Sequence, residues 1–179
     1  MSRLCSVMRA VSTVLAFAAV LFSGCGREET PSRVPSQNIR LMSTEKLSPS
    51  ANRVEGTAVP ESGGELSLNR HKVRIPPDAL KDVTTISIEE PDPRYVVADF
   101  GPEGLKFEKP VDISVCYAGL ELGDVREQDL TIYVFDPGKD EWVDMHGLVD
   151  TAEELVTIRT DHFSRYALSD HRAFQQIVR

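Results

Sequence analysis

From Gly63 onward, apolar and polar side chains alternate one by one in short stretches. Alternation of this kind places every second side chain on the same face of an extended strand, and it is incompatible with a helix, whose faces repeat every three to four residues. The pattern recurs over residues 65–68, 72–75, 83–89, 111–117, 130–135, 141–145, 155–158 and 166–168. That gives about eight half-buried strands bounded by Gly, Pro and Asp. No dozen-residue window carries apolar side chains at helical spacing, and residues 77–81 offer one helical turn at most. Asp136-Pro137-Gly138-Lys139-Asp140 has the turn chemistry of a hairpin joining 130–135 to 141–145. The expected fold is all-β, an antiparallel two-sheet β-sandwich over residues 61–169, with Trp142 plugging one end of its core and residues 170–179 as a tail.

The first 60 residues read differently. Arg3 and Arg9 form a basic start, and residues 10–22, AVSTVLAFAAVLF, are uncharged and almost wholly apolar. A run of this length falls short of the roughly 20 residues that span a bilayer, so residues 1–24 are read as a removable signal peptide. Leu21-Phe22-Ser23-Gly24-Cys25 follows directly and resembles the bacterial lipobox, with Phe22 where leucine is usual. The resemblance implies diacylation of Cys25 and cleavage before it, so that the chain is attached to membrane through Cys25. Two or three acyl chains give stable attachment where one does not. The expected location is the cell envelope: the outer membrane, a periplasm-facing membrane or the cell surface. Residues 25–60, broken by Pro31, Pro35 and Pro49 and rich in serine, are read as a disordered tether, about 30–35 Å long on average and up to about 120 Å when extended.

Charge narrows the partners. The chain has 20 basic and 28 acidic residues, and loss of Arg3 and Arg9 with the leader leaves 18 against 28, a net charge of −10. No basic stripe is visible for replacing phosphate counterions, so a nucleic-acid partner is not expected. Of three cysteines, only Cys116 lies within the domain, so no internal disulfide can form there.

Several stretches, in order, resemble the ZU-five domain of zonula occludens protein, netrin receptors, ankyrins and bacterial exported relatives. They are Gly63-Gly64 with Leu66 and Leu68, Ile75-Pro76-Pro77-Asp78-Ala79-Leu80 with Thr84-Thr85-Ile86, Phe100-Gly101-Pro102-Glu103-Gly104-Leu105-Lys106-Phe107 with Lys109-Pro110-Val111, and His162-Phe163-Ser164-Arg165-Tyr166. Asp78 departs from the pattern, standing where relatives usually carry glycine. The resemblance implies a β-sandwich that serves as an interaction or structural module. In some members His-Phe-Ser is also a self-cleavage site, which would make His162 the base, Ser164 the nucleophile and Phe163 the acyl donor. In others the histidine binds backbone and the phenylalanine fills the core.

A search for other chemistry finds little. His71, His146, His162 and His171 show no zinc-type spacing, and Asp136, Asp140 and Asp144 lack the ligand alternation of a calcium loop, so neither metal nor cofactor is expected. Phosphate loops, nucleophile elbows and dinucleotide fingerprints are missing from the sequence. The leading expectation is therefore a non-enzymatic lipoprotein that displays an interaction module to an unidentified protein or envelope partner. Two alternatives stand beside it: self-cleavage between Phe163 and Ser164, and a carbohydrate- or envelope-binding module using Tyr95, Tyr117 and Tyr133.

Overall fold

The computed structural model describes residues 39–44 and 52–171. The leader, Cys25 and residues 172–179 lie outside the described residues. Eleven strands follow one another: β1 (Arg53–Ala58), β2 (Gly64–Leu68), β3 (His71–Ile75), β4 (Thr84–Glu89), β5 (Val97–Gly101), β6 (Lys106–Cys116), β7 (Leu130–Asp136), β8 (Glu141–Asp144), β9 (Leu148–Asp150), β10 (Leu155–His162) and β11 (Arg165–Asp170). They form a six-stranded sheet in the order β1-β4-β5-β11-β7-β8 and a five-stranded sheet in the order β2-β3-β6-β10-β9. Every ladder is antiparallel. The all-β two-sheet architecture is the one the alternation predicts. Among the described residues the sole helical piece is a 3-10 turn, Glu127–Asp129.

Alternate residues of both sheets build the core. Val73, Ile75, Val111, Ile113, Val115, Val156 and Ile158 come from the five-stranded sheet, and Ile86, Ile88, Phe100, Ile132, Tyr166 and Leu168 from the other. Pro110, which has no N–H to donate, falls in the unpaired stretch of β6 between Lys106 and Val111. The register against β10 shifts there, between Thr160 and His162, with the extra residues on β6, so the ladder loses no bond to the proline.

Two sequence expectations need correction. The sandwich begins well before residue 61, because β1 pairs with β4 over its whole length from Arg53↔Glu89 to Ala58↔Thr84. Residues 39–44 also join the fold as a strap. Met42 N–H donates to Leu168 O at 3.1 Å, Val96 N–H to Met42 O at 2.9 Å and Thr44 N–H to Arg94 O at 2.8 Å. Trp142, second, does not plug the main core. It belongs to a smaller apolar cluster with Ile39, Val97, Tyr133 and Ala167, against which Leu41 and Phe135 pack. Val97, Tyr133 and Ala167 alternate with main-core residues on β5, β7 and β11, so this cluster lies on the outer face of the six-stranded sheet and the strap covers it.

Asp78, the departure from the ZU-five pattern, adopts φ 60°, the left-handed conformation for which glycine is the usual residue and aspartate a tolerated one. Its N–H donates to Pro60 O at 2.7 Å and its carboxylate pairs with Lys109 at 3.0 Å, which holds the turn in shape. Gly63, at φ 71°, is more restricted still, because a Cβ there would stand 2.0 Å from Ile75 O.

A chain that starts at residue 61 lacks both the strap and β1, and should melt more than about 10 °C below one that starts at residue 38. Calorimetry of the two chains checks this, and equal midpoints would show that the added strap and β1 contribute nothing.

Candidate functional site

His162, Phe163 and Ser164 lie where the chain leaves the five-stranded sheet at the end of β10 and enters the six-stranded sheet at β11. Two residues make that crossing, and Phe163 is fully buried there. Its ring sits 4.8 Å from Phe107 and 5.7 Å from Phe100, centroid to centroid. Its N–H donates to Leu105 O at 2.9 Å, and its carbonyl accepts from Gly104 N–H at 3.0 Å. His162 turns Nδ1 to the Asp161 carboxylate at 2.8 Å, and that hydrogen bond holds the Asp161 carboxyl below its usual pKa. The Ser164 hydroxyl donates to Phe135 O at 3.3 Å. Among the described residues no hydrogen bond joins the His162 ring to the Ser164 hydroxyl. The base and nucleophile named by the resemblance are thus neighbours in sequence that face different partners.

Two buried phenols tie down the surrounding strands. Tyr166 donates to His162 O at 2.7 Å and lies 3.0 Å from Thr160 Oγ1. Burial is the main cause that pushes Tyr166 up to about 12. Tyr133 is pushed up to about 12 as well, first by burial and then by the negative charges of Asp144 and Asp170.

Among the described residues, two clefts bear on these side chains. The smaller, about 250 Å³, is lined by Ser164 together with Arg53, Glu89, Asp99 and Arg165. Four of its charges are paired: Arg165 grips Asp99 through two nitrogens, and Arg53 pairs with Glu89. The larger, about 780 Å³, is lined by Asn69, Arg70, His71, Glu90, Tyr95 and residues of the strap. His71 is 2% exposed, with Nδ1 3.0 Å from Glu90 Oε1, while Asn69 donates to Glu90 Oε2 at 2.8 Å. A carboxylate only accepts, so Nδ1 is the donor of this pair. Nε2 is buried and has no hydrogen-bond partner among the described residues. Sequence reading missed this pair, since His71 and Glu90 are 19 residues apart and meet only through the folding of β3 and β4.

The remaining candidates scatter. Tyr117 and Tyr133 are buried, and only Tyr95 reaches a cleft, so the three tyrosines form no exposed row for stacking on a sugar. Asp136 and Asp140 lie at the turn of the β7–β8 hairpin, where Asp136 Oδ1 accepts from Gly138 N–H at 2.9 Å. Asp144 ends β8 at the other end of the hairpin and instead meets His146 and His171, a grouping hidden by their sequence spacing. Cys116 is a half-buried free thiol at the end of β6. No family model and no curated protein matches the chain.

Truncating Phe163→Ala should cost about 3–5 kcal/mol in urea unfolding, against about 0.5–1.5 kcal/mol for Ser164→Ala, whose hydrogen bond is long. A larger loss at Ser164 would contradict this assignment of roles. The two raised phenols give a signed pH dependence, because each is neutral in the fold over a range where it ionises in the unfolded chain. Their stabilisation is intact below pH 10 and is lost as pH rises towards about 12, by roughly 2–3 kcal/mol each. Urea midpoints between pH 9 and 12 should fall accordingly, and Tyr166→Phe should flatten the fall.

Proposed function

We propose that this chain is an envelope lipoprotein, anchored through Cys25, whose β-sandwich acts by binding a protein or envelope partner rather than by catalysis. The observation that carries the reading is the ordered leader: a basic start, an uncharged apolar run and then Ser23-Gly24-Cys25, placed upstream of a separately folded domain. The resemblance to ZU-five interaction domains points the same way. No helix among the described residues is long and apolar enough to cross a membrane, so on this reading the acyl chains supply the membrane affinity.

The larger cleft is the surface on which binding is proposed. It combines concavity with Arg70, the edge of Tyr95 and a buried His71–Glu90 pair in its wall. A concave lining in which polar and charged side chains such as Asn52, Asn69, Arg70 and Glu121 stand beside Tyr95 and Leu120 suits recognition of a polar segment of a partner. Self-cleavage is not adopted, because Ser164 spends its hydroxyl on Phe135 O and the His162 ring turns to Asp161.

In cells fed a lipid label, Cys25→Ala should abolish labelling and shift the protein from the membrane to the soluble fraction. Unchanged labelling and fractionation in that variant would overturn the anchor. Mass spectrometry under denaturing conditions should find the C-terminal part uncut, and a serine-dependent fragment of residues 164–179 would make processing the leading function.

A further inference from the structure

Three side chains of the kind that ligate transition metals meet beyond the paired ends of β7 and β8. Asp144 closes β8, His146 follows it in the corner towards β9, and His171 comes directly after β11. In the six-stranded sheet β11, β7 and β8 are neighbours, so the strand order delivers residues 27 positions apart to one place. One ligand atom from each of the three lies within 4.8 Å of the others. Asp144 Oδ2 is 2.6 Å from His171 Nδ1 and 3.6 Å from His146 Nδ1, and the two imidazoles stack at 6.0 Å with an angle of 25° between them.

The carboxylate is oriented for this from behind. Its other oxygen, Oδ1, accepts from Thr131 Oγ1 at 2.7 Å and from His146 N–H at 2.7 Å. Thr131 is fully buried, and its hydroxyl oxygen in turn accepts from Gly147 N–H at 2.9 Å. Oδ1 is therefore committed to the protein while Oδ2 is presented to both rings. Hydrogen-bonded support of this kind is what fixes a ligating carboxylate. His171 is held too, through its N–H to Asp129 O at 2.9 Å.

Two imidazoles and one carboxylate suit zinc and its borderline neighbours, whereas calcium and magnesium prefer all-oxygen sets. With metal–ligand bonds of about 2.0–2.1 Å, donors around a tetrahedral ion stand about 3.3 Å apart. The separations of 2.6 Å and 3.6 Å bracket that value. The shorter is a hydrogen bond whose shared proton a metal replaces. The longer closes by rotation of His146, whose side chain is 83% exposed.

We propose that Asp144, His146 and His171 bind one borderline divalent transition-metal ion, of which zinc is the representative, leaving a fourth position open to solvent or to a ligand from a partner. The site is independent of the anchor and of the larger cleft. Bound metal ties the end of β11 to the corner after β8 and so stabilises the folded chain by an amount that grows with the logarithm of free metal over Kd.

The test uses the tag-free full chain in detergent with zinc chloride alone, read by titration calorimetry and thermal unfolding. One equivalent should bind, and a hundredfold excess over Kd should raise Tm by roughly 5–10 °C, with no shift from calcium. His146→Ala and His171→Ala should each weaken binding at least tenfold while leaving the metal-free Tm within a few degrees. Asp144→Asn should do the same to zinc while keeping an acceptor for Thr131. Absence of zinc binding at about 100 μM in the wild type, weaker than three ligands should give, overturns the proposal. So does an equivalent of zinc retained at full affinity in the variant that lacks both histidines.

Discussion

The sandwich depends on one crossing. β10 belongs to the five-stranded sheet and β11 to the six-stranded sheet, and only Phe163 and Ser164 separate them. A passage this short holds the two sheets at the spacing set by the ring buried between them. Phe163 meets Phe100 of one sheet and Phe107 of the other, and its N–H and carbonyl are both taken by the loop between β5 and β6. Two of the six chain crossings between the sheets, β5 to β6 and β10 to β11, are thereby latched to each other. Aromatic contacts of this kind add about 0.5–1.5 kcal/mol each beyond the area they bury, and a close-packed interior has no slack through which to redistribute their loss.

The polar groups around the crossing follow from that burial. Once the chain turns inward at Phe163, the His162 carbonyl is drawn out of regular pairing at the register shift between β6 and β10, and the hydroxyls of Tyr166 and Thr160 satisfy it from within. The same residues read from sequence as a base, an acyl donor and a nucleophile. In the fold each is engaged by a different neighbour. The chemistry suggested by adjacency needs convergence of side chains, whereas an extended crossing between two sheets disperses them.

What was legible in the sequence was local. Eight of the eleven strands announce themselves by alternation, most plainly where one face is wet, as in β3 and β10. β5 does not, since Val97 faces the outer cluster while Ala98 and Phe100 face the core, leaving a run without a polar phase. β1 hides for another reason: its inward positions are Val54, Gly56 and Ala58, too small to stand out as an apolar face. β9 has only three residues. Trp142 was assigned to the wrong cluster because the outer face of a sheet is dry only when something covers it, and the strap lies about 100 residues upstream. The Asp144, His146 and His171 grouping was out of reach for the same reason, being a product of strand order and not of spacing.

The strap also sets a working radius. Ile39, buried against the outer face of the sheet, is fourteen residues from Cys25, and a chain of that length extends at most about 50 Å. A leash running to residue 60 would more than double this. On the proposed attachment through Cys25, the domain would be confined to a shallow layer above the bilayer. Partners resident in that layer meet it at an effective concentration on the order of millimolar, so an interface too weak to be captured between freely diffusing molecules can still be occupied most of the time at the membrane surface.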